Sequence, residues 1–357
     1  MKHCTNCGSE LPSTPVSFCT RCGSRLEAQK KPEAVTSQAT TNVGTAETAF
    51  LANARIGLNR WWRWVLGSIL ILVIWQGIGM APWFVACEYL KTAQIPQFAC
   101  DDLSITGDSL LPGYILSNYG FVIGIIGVWL TVKLIHKKTL TQVVTGRVTF
   151  DYNRALYAIG IGVLISALIL VLDRLFIHSE MTFRAPNIWE YLTFFLFAIV
   201  LTPYQAGMEE VFFRGYLIQG VSLLTRNRFV VAATSGLLFA AVHLANPEPY
   251  EYGFGPYVSS MLIFGVFMSL LTLFDGGIEL AVGYHAANNL WILLIANTEV
   301  TAVPTPSLFV IPMENYASSS VIVELTTFAV LFVIFNRKYG WFSWTRLAKA
   351  LRDPETS

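Results

Sequence analysis

Ionisable side chains inside a hydrophobic segment are costly there, so those that persist mark where chemistry is to be sought. In this chain they are few: Glu209, Glu210 and Arg214 in one apolar stretch, His243 in the next, and His285 with Asn289 further on. Glu210 and Arg214 are four apart, so on a helix they share a face and can pair, which offsets part of the cost of burying both. Glu209 lies about 100° round the helix from Glu210, less available to Arg214 and able to project into a cavity. His285 and Asn289 are again one turn apart and can aim at one substrate oxygen; Phe239 and His243 repeat the spacing a segment earlier. A carboxylate to take a proton from water, with donors for a developing oxyanion, is the equipment of a hydrolase.

Taken singly, these residues have plainer roles. An intramembrane His or Asn is ordinarily a helix-to-helix hydrogen bond, and a Glu–Arg pair one turn apart is ordinarily structural. What distinguishes this set is the combination of two adjacent glutamates, two histidines and an asparagine on correctly spaced turns of three segments. Glu279 and Glu324 fall near segment ends and read as interfacial.

The elements that must position these groups are membrane helices. Of the 357 residues 54% are apolar and 13% charged, with mean hydropathy +0.52, against about 25% charged in soluble domains. An ordinary soluble enzyme is excluded, and a net charge of +1 leaves no basic face for nucleic acid. The expected fold class is an all-α polytopic membrane protein of about eight transmembrane helices, each long enough for a hydrocarbon layer of roughly 30 Å. The spans run near 64–86, 113–135, 155–172, 190–222, 229–245, 257–274, 278–296 and 320–336, the fourth with Pro203 and Gly207 as a place to bend or break. No secretory signal precedes them, so both termini are expected in the cytoplasm. Of the 24 Lys and Arg, the assigned outer loops hold only Lys91, Arg174 and Arg184.

Ahead of the spans, Cys4, Cys7, Cys19 and Cys22 read C-x2-C-x11-C-x2-C, with Gly8 and Gly23 after each pair. Four thiolates close a tetrahedral shell, so the predicted module is a zinc ribbon over 1–26 with structural Zn and no open coordination position. With only Lys2, Arg21 and Arg25 as cations, it fits a protein partner better than nucleic acid. Residues 27–59 read as a flexible linker, 60–336 as the transmembrane domain, and 337–357 as a cytoplasmic tail with an amphipathic helix. An oxidising exterior would permit a disulfide between Cys87 and Cys100, which flank the first outer loop.

Glu209-Glu210-Val211-Phe212-Phe213-Arg214 matches EExxxR, Phe239 to His243 matches FxxxH, and His285 to Asn289 matches HxxxN, in that order. In this the sequence resembles the CAAX protease and bacteriocin-processing (Abi) family, whose eukaryotic relatives are the CAAX prenyl endopeptidases; the likeness covers roughly residues 150–336. The resemblance implies an intramembrane endopeptidase of a prokaryotic plasma membrane, cutting a membrane protein or a lipidated or amphipathic peptide in CAAX-type processing, bacteriocin maturation or immunity. It implies Glu209 as the base for water, His243 orienting that water, His285 and Asn289 at the oxyanion, Glu210 and Arg214 in support, and a cavity open to the cytosol. In a competing mechanism Glu209, His243 and His285 would ligate a catalytic zinc; no HExxH is present and the metal-free route is the expectation. A non-catalytic scaffold or immunity protein recruiting partners through its ribbon is the alternative from another class, and a proton-coupled transporter a third, disfavoured by the absence of an internal repeat.

Overall fold

In hydrocarbon every backbone polar group must find its partner within its own segment, so long apolar runs become helices. The computed structural model describes residues 2–3, 10–11, 49–95, 97–100, 105–251, 253–312 and 320–341. The chain divides into two units, Met1–Thr41 and Asn42–Ser357. In the first, β1 (Lys2–His3) pairs antiparallel with β2 (Glu10–Leu11), Lys2 opposite Leu11. Cys4, Cys7, Cys19 and Cys22, and with them the zinc ribbon, lie outside the described residues, as does the tail beyond Trp341.

The second unit is a helical bundle. Its elements are α1 (Trp61–Leu72), α2 (Ala81–Ala93), α3 (Leu111–Thr131), the short α4 (Leu140–Val144), α5 (Tyr152–Leu172), α6 (Ile188–Glu210) and α7 (Ile218–Ser222). After these come α8 (Arg228–Val242), the single turn α9 (Glu248–Glu251), α10 (Phe254–Asp275), α11 (Glu279–Leu294) and α12 (Ser320–Tyr339). Side chains start several of them: Asp151 accepts from the backbone of Asn153 and Arg154, Asn187 from Trp189 and Glu190, and Asn227 from Phe229 and Val230. Thr139 and Gln142 form a reciprocal capping box on α4.

Six helical stretches have the length and composition of a membrane crossing: Trp61–Ala93, Leu111–His136, Tyr152–Ile177, Ile188–Ser222, Arg228–Ala245 and Phe254–Asp275. Two of the eight expected spans fall outside that set although both are helical. α11 has 16 residues, about 24 Å at 1.5 Å per residue, short of a hydrocarbon layer of roughly 30 Å. α12 has 20 residues and carries Glu324, Arg337 and Lys338. The expected break at Pro203 and Gly207 is absent: α6 runs through both, and the departure from α geometry comes later, in the wider π-type turns of Val211–Leu217 that lead into α7.

Two further expectations change, and one left open is decided. The linker does not extend to Asn59, because Phe50 is fully buried against Ile218, Val231, Ala232 and Leu273, and Ala54 is buried as well; one aromatic with a groove to fill outweighs a polar composition. Glu279 is not interfacial but fully buried, paired with Arg147 at 3.1 Å and accepting the backbone N–H of Asp151. Arg147 also reaches Asp275 at 3.0 Å, and Arg154 pairs with the same carboxylate. Cys87 and Cys100, for which the sequence permitted a bridge, are joined, tying α2 to β3 (Phe98–Cys100).

The bundle has two distinct ends. At one, the 144–147 segment meets the α10–α11 turn, Gly146 N–H donating to Gly276 and Ile278 N–H to Val144. The Lys and Arg of 53–63, 133–154, 226–228 and 337–338 gather there. The other end carries the disulfide and a sheet in the order β5 (Thr182–Phe183), β7 (Phe309–Ile311), β6 (Ala296–Thr298). α8 and α10 touch backbone to backbone between the ends. A Cβ on Gly236 would lie 2.7 Å from the Val266 nitrogen, and one on Gly265 2.8 Å from the Gly236 Cα, the close approach that small residues permit between membrane helices.

Lys138 illustrates the Lys/Arg-rich end. Its ammonium donates to the Ala54 carbonyl at 3.0 Å and lies 4.9 Å from the centre of the Trp64 ring. Burial pushes its pKa from the ordinary 10.5 down to about 8. A folded-state pKa below the unfolded one means that the folded state gives up its proton first, so stability rises as pH climbs from about 8 towards 10.5. We expect the melting temperature of the detergent-solubilised protein to rise more between pH 7.5 and 10 than that of Lys138→Met; parallel profiles would overturn the assignment.

Candidate active site

The paired glutamates end α6, where the helix passes into its wider turns, a distortion often found at functional sites. Arg214, within those turns, donates to Glu210 Oε1 at 3.0 Å and to the Gly265 carbonyl at 3.3 Å. Its guanidinium also sits 4.3 Å from the centre of the Phe239 ring. Both members of the pair are fully buried, as the spacing suggested. A second partner of Glu210 was not legible from spacing: His285 Nδ1 donates to the same Oε1 at 2.7 Å. The carboxylate therefore ties α6 to α11 and fixes which nitrogen of His285 is left for chemistry.

That nitrogen, Nε2, stands 3.8 Å from Glu209 Oε2. Glu209 is buried, and among the described residues its Oε2 has no hydrogen-bond partner, so its basic oxygen is uncommitted. His243 closes α8; its Nδ1 donates to the Phe239 carbonyl at 2.8 Å, which again leaves Nε2 available. Asn288 donates to Asn289 Oδ1 at 3.4 Å, so the Asn289 amide N–H groups are the ones left over. The assignment of amide and imidazole nitrogens follows from these partners.

Glu209, His243, His285 and Asn289 all line one cavity of about 280 Å³. Glu210 and Arg214 lie behind it and hold His285 in place. Of the residues singled out in the sequence, Glu209, His243, His285 and Asn289 line the cavity, and Glu210 and Arg214 do not. The spacing argument missed further polar lining residues: Gln205, Asn246, Glu248, Tyr257 and Asn288. Gln205 had a signal, since it precedes Glu209 by one helical turn. Asn246 and Glu248 had none, because they follow α8 in a segment without the period of a helix. Among the described residues no three His, Cys, Asp or Glu side chains are gathered so as to hold a metal ion.

The cavity deepens against Phe239 and Phe264 and runs towards Thr298, Thr301 and Ala302, at the end that bears the sheet and the disulfide. No lining residue belongs to the Lys/Arg-rich end.

Comparison with known proteins adds to this geometry. Residues 187–291 match the family described as Type II CAAX prenyl endopeptidase Rce1-like, a stretch that contains all three motifs, although Thr298, Thr301 and Ala302 of the cavity wall lie beyond it. A Bacillus subtilis (strain 168) protein named "Uncharacterized protein YyaK" is 28% identical over 262 residues, covering 72% of this chain and 86% of the relative. No solved structure matches.

Proposed function

We propose that this protein is a membrane-embedded endopeptidase in which Glu209 activates water for attack on a peptide bond. The observation that carries the reading is the convergence, on one cavity, of a partnerless carboxylate, two histidine Nε2 atoms and an asparagine amide from three separate helices. Water between Glu209 and His243 gives its proton to Glu209 as it attacks the carbonyl carbon. His243 accepts the water's second hydrogen through Nε2 and so aims the attacking lone pair. His285, doubly protonated while Glu210 balances its charge, donates from Nε2 to the oxyanion together with Asn289. Glu209 then passes its proton to the leaving amine.

The match over residues 187–291 supports peptide-bond hydrolysis in a bilayer, and a membrane-associated, lipidated or amphipathic substrate. In this reading the protein is an integral membrane protein of a prokaryotic plasma membrane, with the Lys/Arg-rich end and both termini cytoplasmic. The N-terminal cysteines hold a structural zinc that stabilises a small ribbon for a protein contact.

The test compares peptide termini across the membrane proteomes of cells carrying the wild type, Glu209→Gln, or no protein. We expect termini that appear only with the wild type, and these identify the substrate. Identical termini in all three, with Glu209→Gln still rescuing a deletion phenotype, would overturn proteolysis and leave the scaffold reading.

A further inference from the structure

The cavity faces the end of the bundle that two independent observations assign to the outside. Lys and Arg concentrate at the opposite end, against Lys91, Arg174 and Arg184 on the cavity's side, and cationic loops stay in the cytoplasm. The Cys87–Cys100 bridge sits at the cavity's end, and disulfides persist in oxidising compartments outside the cytoplasm. The cavity wall at that end also carries a charge without a counterpart. Glu248 lines the cavity; its Oε1 accepts the Ala302 N–H at 2.9 Å, while its buried Oε2 has no partner among the described residues. No Lys or Arg lines the cavity, so the missing cation is not supplied by the described residues. A carboxylate in a cavity wall with one oxygen short of a partner is satisfied most simply by a cation brought into the cavity beside it.

We propose that the cavity is entered from the extracytoplasmic face, by a peptide segment that brings a lysine, an arginine or a free amino terminus to Glu248. This rests on the reading of the cavity as the substrate site, and it narrows the substrate class to segments of exported or outward-facing polypeptides. A prenylated tail in the cytosol would meet the other end of the bundle.

Thr301 lines the cavity next to Ala302, the residue that anchors Glu248. The experiment places Thr301→Cys in the full-length protein and measures labelling by two membrane-impermeant methanethiosulfonates, one trimethylammonium and one sulfonate, on intact cells and on inside-out vesicles. The unsubstituted protein serves as the blank. Labelling on intact cells is expected to exceed that in sealed inside-out vesicles by at least about tenfold. Adding Glu248→Gln is expected to lower the ratio of cationic to anionic reagent rates by about fivefold, as for one unit charge several ångströms away in a watery site.

Labelling confined to inside-out vesicles would overturn the direction of entry. A rate ratio unmoved by Glu248→Gln would overturn the cationic subsite. Ala302→Cys replaces Thr301→Cys if that variant fails to accumulate. Glu209→Gln in the same background keeps the labelling pattern, so a failure of the hydrolytic reading would show in the peptide termini and not here.

Discussion

Glu209→Gln is expected to lower kcat/KM by about a thousandfold, close to 4 kcal/mol of transition-state stabilisation, while leaving the melting temperature in detergent unchanged or slightly raised. The two halves follow from one observation. Glu209 Oε2 is buried and without a hydrogen-bond partner among the described residues, so it adds little to the packing of the resting protein and stands ready for a proton from water. Glutamine keeps the shape and removes the base, and it takes away a buried carboxylate oxygen that had no hydrogen-bond partner among the described residues. The substrate for the measurement is the peptide spanning the cleavage site found in the membrane proteome. A variant with kcat/KM within threefold of the wild type would sink the role of Glu209 as base. A fall in activity that tracks a fall in melting temperature would reassign the residue to structure.

The sequence was most informative where one helix sufficed. Glu210 and Arg214, four apart on a continuous helix, pair as their spacing required, and Glu209, one residue away, faces the cavity while its neighbour does not. It was silent where the contact crosses the fold. The bond from His285 to Glu210 spans 75 positions, and no local period encodes it. Hydropathy alone does not separate α11 from a lipid-facing span: Leu280, Ala281, Ala286 and Ala287 are all fully enclosed by protein neighbours, and a helix packed in protein can be apolar without the full hydrocarbon length. Phe50 shows the converse, since composition averaged over a polar stretch hides the single side chain that docks. The position of the cavity mouth depends on where Glu248 and the segment after α11 come together, which the three motifs do not specify.

Arg214→Met is expected to destabilise the protein by about 3–5 kcal/mol, because it takes the guanidinium from a fully buried carboxylate and leaves Glu210 to the His285 imidazole in a site with no solvent access. Against a total stability of roughly 5–15 kcal/mol, that loss shows as poor accumulation and a sharply lower melting temperature in detergent. Arg214→Lys keeps the charge but cannot reach both Glu210 and the Gly265 carbonyl as the guanidinium fork does, so it falls between. The double variant Glu210→Gln with Arg214→Met removes both charges and is expected to recover most of the stability, since buried pairs contribute little net beyond their own desolvation. Turnover separates the structural role of the pair from its role at the site. Glu210 also holds His285 by its Nδ1 and balances the charge of a doubly protonated ring, so the double variant should fold and still lose at least about a hundredfold in kcat. Full activity in a well-folded double variant would show that His285 needs no carboxylate behind it. An Arg214→Met protein as stable as the wild type would show that Glu210 finds its counter-charge elsewhere. With neither result, the second glutamate and the arginine act as the strut that sets the angle and charge of the imidazole one helix away.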